Sequence, residues 1–137
     1  MSGAKKSSSG GGVSALLDTS IVVDVLRQHG SALKFTGSLD ESPTCSELTR
    51  VEIMKGLRSA ERSPTEILFR TFTWIGVDES IARRAGELGR IYRRSHSGIG
   101  IPDLIIAATA QELGLELATM NVRHFPMFKG LRAPYRD

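Results

Sequence analysis

The sequence predicts a single α/β domain whose mostly parallel sheet is covered by helices on both faces. Two observations carry this. Short apolar runs alternate along the chain with longer segments of helical periodicity, the pattern of parallel strands joined by helical crossovers. With 137 residues, 40% of them apolar, the chain suffices for one ordinary core that needs neither disulfides nor a structural metal.

Taken in order, Met1 to Gly12 contain four Gly, four Ser and two Lys. They read as a flexible leader, of the kind that cloning adds, ahead of a domain spanning residues 13–137. Val13 to Leu17 is a short apolar run followed at once by Asp18-Thr19-Ser20. It reads as a buried strand feeding a helix that starts near Ile21, with Asp18 at the strand's carboxyl end. A second helix is expected over Gly30 to Leu39, and a second strand from Pro43-Thr44-Cys45. Thr49 and Glu52 then match a capping box, with Leu48, Val51, Met54 and Leu57 as the apolar face of the helix it opens. Ser63-Pro64 is expected to open a helix through Phe72, because Pro is tolerated in a first turn. Trp74 to Val77 is the third strand. Asp78 can cap the clearest amphipathic helix, Ser80 to Ser95, in which Ile81, Ala85, Leu88 and Tyr92 share one face and Arg83, Glu87, Arg90 and Arg94 the opposite one. After a loop at His96 to Gly100, Pro102 and Asp103 begin a helix whose body, Leu104 to Ala110, is apolar nearly all round and so belongs in the interior. Gly114 ends it, Leu117-Ala118-Thr119 is the fourth strand, and Asn121 lies just beyond.

Lys5 and Lys6 supply two of the formal +3, leaving +1 for the body, so no general polyanion-binding surface is indicated. The basic residues are 13 Arg and 5 Lys. Arg matches phosphate oxygens with its planar fork, although genome composition also produces such a bias. Cys45 has no partner in the chain, which suits a reducing cytoplasm. No apolar run reaches the roughly 18 residues that a membrane span needs, and the leader lacks an apolar signal core. A cytoplasmic protein that does not enter the membrane is expected.

Open parallel sheets bind ligands beyond the carboxyl ends of their strands, where strand order reverses. Asp18 and Asn121 fall at such ends, while Asp103 opens one helix and Glu52 lies one turn into another, so all can face one edge of the sheet. Three carboxylates in one pocket repel each other unless a cation neutralises them. Oxygen donors select a hard ion such as Mg²⁺ or Mn²⁺, whereas zinc recruits His or Cys; His29, His96 and His124 show no metal-ligand spacing. An ion of this kind keeps several waters, one of which can attack a phosphodiester. Each residue also has a plainer reading. Asp18 can simply cap a helix, Glu52 can simply complete a capping box, Asp103 suits any first helical turn and Asn121 any turn. The Arg83, Arg90 and Arg94 face is either an RNA guide or a solvated surface tied together by Glu87.

At these same residues the chain resembles the PIN-domain ribonucleases, and within them the VapC-like toxins of bacterial type II toxin–antitoxin pairs. The matching segments are Leu16 to Asp24, then Ser46 to Gly56 with the pattern Ser-x-x-Thr-x-x-Glu and a Gly four residues on, then Pro102 to Ala110, and Ala118 to Phe125. In this order, and at similar separations, they span nearly everything from Val13 onward. The resemblance implies a three-layer sandwich with a central parallel sheet of four or five strands. It implies a Mg²⁺- or Mn²⁺-dependent endoribonuclease in which Asp18, Glu52 and Asp103 form the acidic catalytic triad around the metal. Asn121 stands where the family often has a fourth acidic residue; its oxygen can serve a metal or a bound water, but its neutral side chain favours a second tightly held ion less. Thr19 and Ser20 are candidates to orient Asp18 or a water, and Arg83, Arg90, Arg94 and Arg123 to contact RNA. Asp24 matches an acidic position of the family's first helix and is not assigned to catalysis. The resemblance further implies a tRNA or rRNA substrate, a homodimer, and a cognate antitoxin whose basic side chains enter the acidic pocket, replacing the cation's charge without supplying an activated water.

Two other functions compete. A PIN fold can bind RNA or a protein without cutting, although clustered carboxylates repel phosphates and suit a purely binding surface poorly. A receiver-like phosphoacceptor shares the layered layout, but needs an acceptor Asp after a mid-chain strand and a late Lys; Asp78 and Lys129 are the matches.

Overall fold

The computed structural model describes residues 14–92, 95 and 98–136. The expected leader at residues 1–12, Val13, Arg94 and His96 lie outside the described residues. The elements run β1 (Ala15–Leu17), α1 (Thr19–Leu26), α2 (Gly30–Gly37), β2 (Thr44–Ser46), α3 (Glu47–Met54), α4 (Ser59–Phe69), β3 (Thr73–Ile75), α5 (Glu79–Tyr92), α6 (Ile101–Leu113) and β4 (Glu116–Ala118), followed by a 3-10 turn at Val122–His124.

The strands form one four-stranded sheet in the order β3-β2-β1-β4, with every neighbouring pair parallel. The chain steps outward from β1 to β2 to β3, then returns to lay β4 on the other flank of β1, with Leu16 opposite Leu117 and Leu17 opposite Ala118. Strand order therefore reverses between β1 and β4. The crevice just past Leu17 and Ala118 is the switch point at which such sheets take ligands.

Successive side chains of a strand point to opposite faces. Leu16 and Leu117 accordingly join the core under α5 and α6, with Ile81, Leu88, Leu104 and Phe125. Leu17 and Ala118 join the core on the other face, with Ile21, Val22, Cys45, Ile53 and Phe69. Burial on both faces explains why β1 reads as an unbroken apolar run. The expected face of α5 is the one that packs: Ile81, Ala85 and Leu88 are buried, and Asp78 Oδ1 accepts from the Ile81 N–H at 2.9 Å, capping the helix. In α6, Leu104 and the run Ile106 to Ala110 are buried, and Gly114 ends the helix at φ +65°, a conformation that favours glycine. After β4, Phe125, Phe128 and Leu131 pack with the α5–α6 core, whereas Tyr135 packs with the opposite one. The C-terminal segment thus passes from one face of the sheet to the other.

Several local expectations are corrected. Helix α1 begins at Thr19 rather than near Ile21. Ser46, not Thr49, caps α3, its Oγ accepting from the Leu48 N–H at 3.0 Å. Thr49 lies inside that helix, and with Ile53, one turn on, forms its buried stripe; Val51, expected in the apolar face, is 61% exposed. Helix α4 starts at Ser59, where Glu61 Oε1 accepts from the Arg58 N–H at 2.8 Å. Pro64 is therefore inside the helix, and Phe72 falls beyond its end. Strand β3 ends at Ile75 rather than Val77, and β4 at Ala118 rather than Thr119.

Candidate active site

Asp18 occupies the N-cap position of α1 but makes no capping bond, so the plainer reading of this residue fails. Its side chain is buried, and Oδ2 accepts from Thr119 Oγ1 at 2.7 Å and from Ser20 Oγ at 2.9 Å. Both bonds fall on Oδ2, which leaves Oδ1 without a protein donor among the described residues. The two hydroxyls also accept backbone N–H groups from the segment after β4: Thr119 Oγ1 from Asn121 at 2.9 Å and Ser20 Oγ from Met120 at 3.2 Å. Each hydroxyl is thereby a donor to the carboxylate and an acceptor for the loop.

Glu52 is held by α1 rather than by a capping box. Thr19 Oγ1 donates to Glu52 Oε1 at 2.7 Å and lies 3.0 Å from Thr49 Oγ1. Since the one Thr19 proton goes to Glu52, Thr49 is the donor in the second bond. Asp103 is the third residue of α6, and its Oδ2 accepts from the Gly100 N–H at 3.1 Å, with His124 Nδ1 at 3.3 Å. Burial pushes the Asp103 carboxyl above its ordinary range; the Gly100 N–H and His124 oppose the rise, and the negative charge of Asp18 adds to it.

Asp18, Thr19, Ser20, Glu52, Asp103, Asn121 and His124 all line one cavity of about 530 Å³ at the switch point. The triad expected from sequence is therefore brought together. Asn121 sits exposed at its rim, immediately before the 3-10 turn. Asp24 also lines the cavity, its Oδ2 accepting from Tyr135 Oη at 2.7 Å. Another cavity, of about 520 Å³ between α5 and α6, is lined by Val77, Ala82, Gly86, Ile101 and Leu104 among others and carries no carboxylate.

The candidate RNA contacts are divided. Arg83 pairs with Glu79 at 2.7 Å and Arg90 with Glu87 at 3.9 Å, all well exposed on α5 and outside the acidic cavity. Arg123 is exposed in the turn between Asn121 and His124, two residues that line it. Arg94 lies outside the described residues. Sequence reasoning missed Thr119, the bond between Thr49 and Thr19, and the partnership of His124 with Asp103. Thr119 was discoverable as a polar residue within an otherwise apolar strand end; the other two depend on packing between distant elements.

Among the described residues, no three His, Cys, Asp or Glu side chains converge as a ready-made metal-ligand set. The cavity offers instead oxygen donors on separate elements, including the unclaimed Oδ1 of a buried aspartate. That donor set fits Mg²⁺, which is held through one or two carboxylates and keeps much of its water. No helix among the described residues is long and apolar enough to cross a membrane.

Fold and site together define an α/β domain with an acidic pocket at the switch point of a parallel sheet. The chain belongs to the PIN-domain family, whose profile matches residues 15–128. It is similar to Ribonuclease VapC19 of Mycobacterium tuberculosis, 45% identical over 123 residues that cover 88% of this chain and 98% of that protein. Ribonuclease VapC10 of the same organism is 41% identical over 122 residues, covering 88% of this chain and 92% of that one. Among solved structures, a toxin–antitoxin complex from Klebsiella pneumoniae superposes with a TM-score of 0.80 at 31% identity, over 90% of this chain and all of the matched one.

Proposed function

We propose that this domain is an endoribonuclease that hydrolyses RNA phosphodiesters with a hard divalent ion, and that it is the toxin of a toxin–antitoxin pair. The observation that carries the reading is the gathering of Asp18, Glu52 and Asp103 around one cavity at the switch point, with Asp18 buried and its Oδ1 without a donor among the described residues. Asp18, Glu52 and Asp103 would hold the ion, with the Asn121 amide oxygen at the rim. When bound, the ion supplies positive charge to the phosphoryl oxygens and an activated water. Thr119 and Ser20 fix the Asp18 carboxylate, and Thr19, itself fixed by Thr49, does the same for Glu52. Arg123, exposed between Asn121 and His124, would meet a phosphate entering beside them. The similarity to VapC ribonucleases and to a toxin–antitoxin complex supports the choice of RNA and of a protein inhibitor. An antitoxin Arg or Lys in the cavity would neutralise the carboxylates as a cation does. A homodimer and a structured RNA such as tRNA or rRNA complete the reading.

The test is incubation of the purified chain with structured RNA in EDTA, then with added Mg²⁺ or Mn²⁺. Cleavage is expected only with metal and should be lost in Asp18→Asn, Glu52→Gln and Asp103→Asn. The same ions should raise the melting temperature by binding the native state. RNA binding without cleavage in any metal would favour the non-cutting module; undiminished cleavage in EDTA would overturn the metal mechanism.

A further inference from the structure

We propose that His124 is a positioning residue that fixes the Asp103 carboxylate through a hydrogen bond from Nδ1–H to Oδ2. The role rests on the reading of Asp103 as a metal ligand. His124 Nδ1 lies 3.3 Å from Asp103 Oδ2, the same oxygen that accepts the Gly100 N–H at 3.1 Å. On its other side the ring is bounded by the loop before α6: a Cβ at Gly98 would sit 3.9 Å from His124 Nε2, and Gly98 has φ +92°.

A carboxylate held by one N–H of its own helical turn remains free to rotate about its last bond. Two donors arriving at one oxygen from different elements fix its plane, and leave the other oxygen for the cavity. Asp18 shows the same arrangement. Its Oδ2 takes one local donor, Ser20, and one from beyond β4, Thr119. Asp103 takes one local donor, Gly100, and has the Nδ1 of His124, from beyond β4, 3.3 Å from the same oxygen. The segment Thr119 to His124 thus acts as a bracket that orients two aspartates from two different elements, in each through a single carboxylate oxygen.

The choice of ring nitrogen makes the role testable. An Asn side chain places its amide N–H where the Nδ1–H of His stands, and a Gln side chain places it where Nε2 stands. The experiment uses the full chain and its His124→Asn, His124→Gln and His124→Ala variants. Mn²⁺ affinity is read by calorimetry, RNA cleavage in parallel, and the native fold by circular dichroism in EDTA. His124→Asn should stay within about threefold of the parent in Mn²⁺ affinity and cleavage. His124→Gln and His124→Ala should lose about tenfold or more in Mn²⁺ affinity, as loss of a group that orients a ligand does. In an Asp103→Asn background, His124→Gln should produce no further loss. Should His124→Ala not fold, the contrast between Asn and Gln carries the test. Equal Mn²⁺ affinity in all variants would overturn the positioning role; impairment of Asn as severe as that of Gln would overturn it too, by showing that the ring itself is required. A parent chain that binds no Mn²⁺ would instead refute the metal-site reading, a different outcome from either.

Discussion

Replacing Thr119 by Val tests the structural logic of the site without touching a carboxylate. Thr119 is fully buried, and its hydroxyl donates to Asp18 Oδ2 at 2.7 Å while accepting the Asn121 N–H. Valine keeps the volume, so no cavity term arises and the loss is that of the hydroxyl. A hydrogen bond to a charged group contributes about 1.5–3 kcal/mol. The Ser20 bond to the same oxygen survives, and Asn121 is exposed, so its N–H can turn to solvent. The expected loss is therefore in the lower part of that range, about 2 kcal/mol. For a domain of this size that lowers the melting temperature by roughly 8 °C. Thr119→Ser is the control: it keeps the hydroxyl, removes one methyl and should cost about 1 kcal/mol. Melting and urea curves in EDTA measure both. In cleavage assays with Mn²⁺, the Val variant should be slowed more than the Ser variant, because Asp18 can then rotate. A Val variant that melts within about 2 °C of the parent, or a Ser variant as damaged as the Val one, would refute the reasoning.

The raised Asp103 pKa makes a signed prediction for metal-free protein. The native state keeps this proton to higher pH than the unfolded chain, whose carboxyl titrates at the ordinary 3.8, so the native advantage is complete below that value and is lost as pH rises through the raised one. Asp103→Asn, which has no such titration, should gain in stability relative to the parent over that rise and then hold a constant lead; melting curves in EDTA across the acid range that show a falling lead would contradict this. Asn121→Asp should lower the Mn²⁺ concentration for half-maximal cleavage and lower the metal-free melting temperature, because it adds a fourth carboxylate at the cavity rim. Identical metal dependence for Asn, Asp and Ala at this position would remove residue 121 from the site. Arg123→Gln should flatten the salt dependence of RNA binding by about one phosphate contact. Arg83→Gln should leave that slope unchanged and shift stability by at most about 0.5 kcal/mol, since its partner is a helical neighbour in solvent; the reverse pattern of slopes would move the RNA path to α5.

The parallel strands and the switch-point residues were legible because they depend on local patterns: an apolar run buried on both faces, with a polar residue at its end. Asp18 was found on that basis, and Asp103 as the opening residue of an apolar helix. Glu52 was found too, but with the wrong local partner. Ser46 and Thr49 are both able to cap, and the choice between them depends on where β2 ends, which pairing with β1 and β3 decides. Pro64 misled in the same way. Pro favours a first turn, but α4 starts at Ser59, five residues before Pro64, where Glu61 accepts from the Arg58 N–H, and the solvent-exposed Ala60 to Pro64 side tolerates the missing bond. The His124–Asp103 contact had no local signal at all, because it joins a turn after the last strand to the start of the preceding helix.

The passage of the C-terminal segment across the sheet bears on how the molecule comes into being. Asp18 is made early, yet its Thr119 partner lies 101 residues later, and Asp24 waits 111 residues for Tyr135. Contacts of such separation form late, because loop closure precedes any gain from them. During synthesis the first strand emerges long before β4, and remains open on one flank until that strand arrives. A chain halted anywhere before residue 116 therefore holds Asp18 without its Thr119 donor and with β1 unpaired on the β4 flank, so the buried setting of this carboxylate is complete only once the last strand is made.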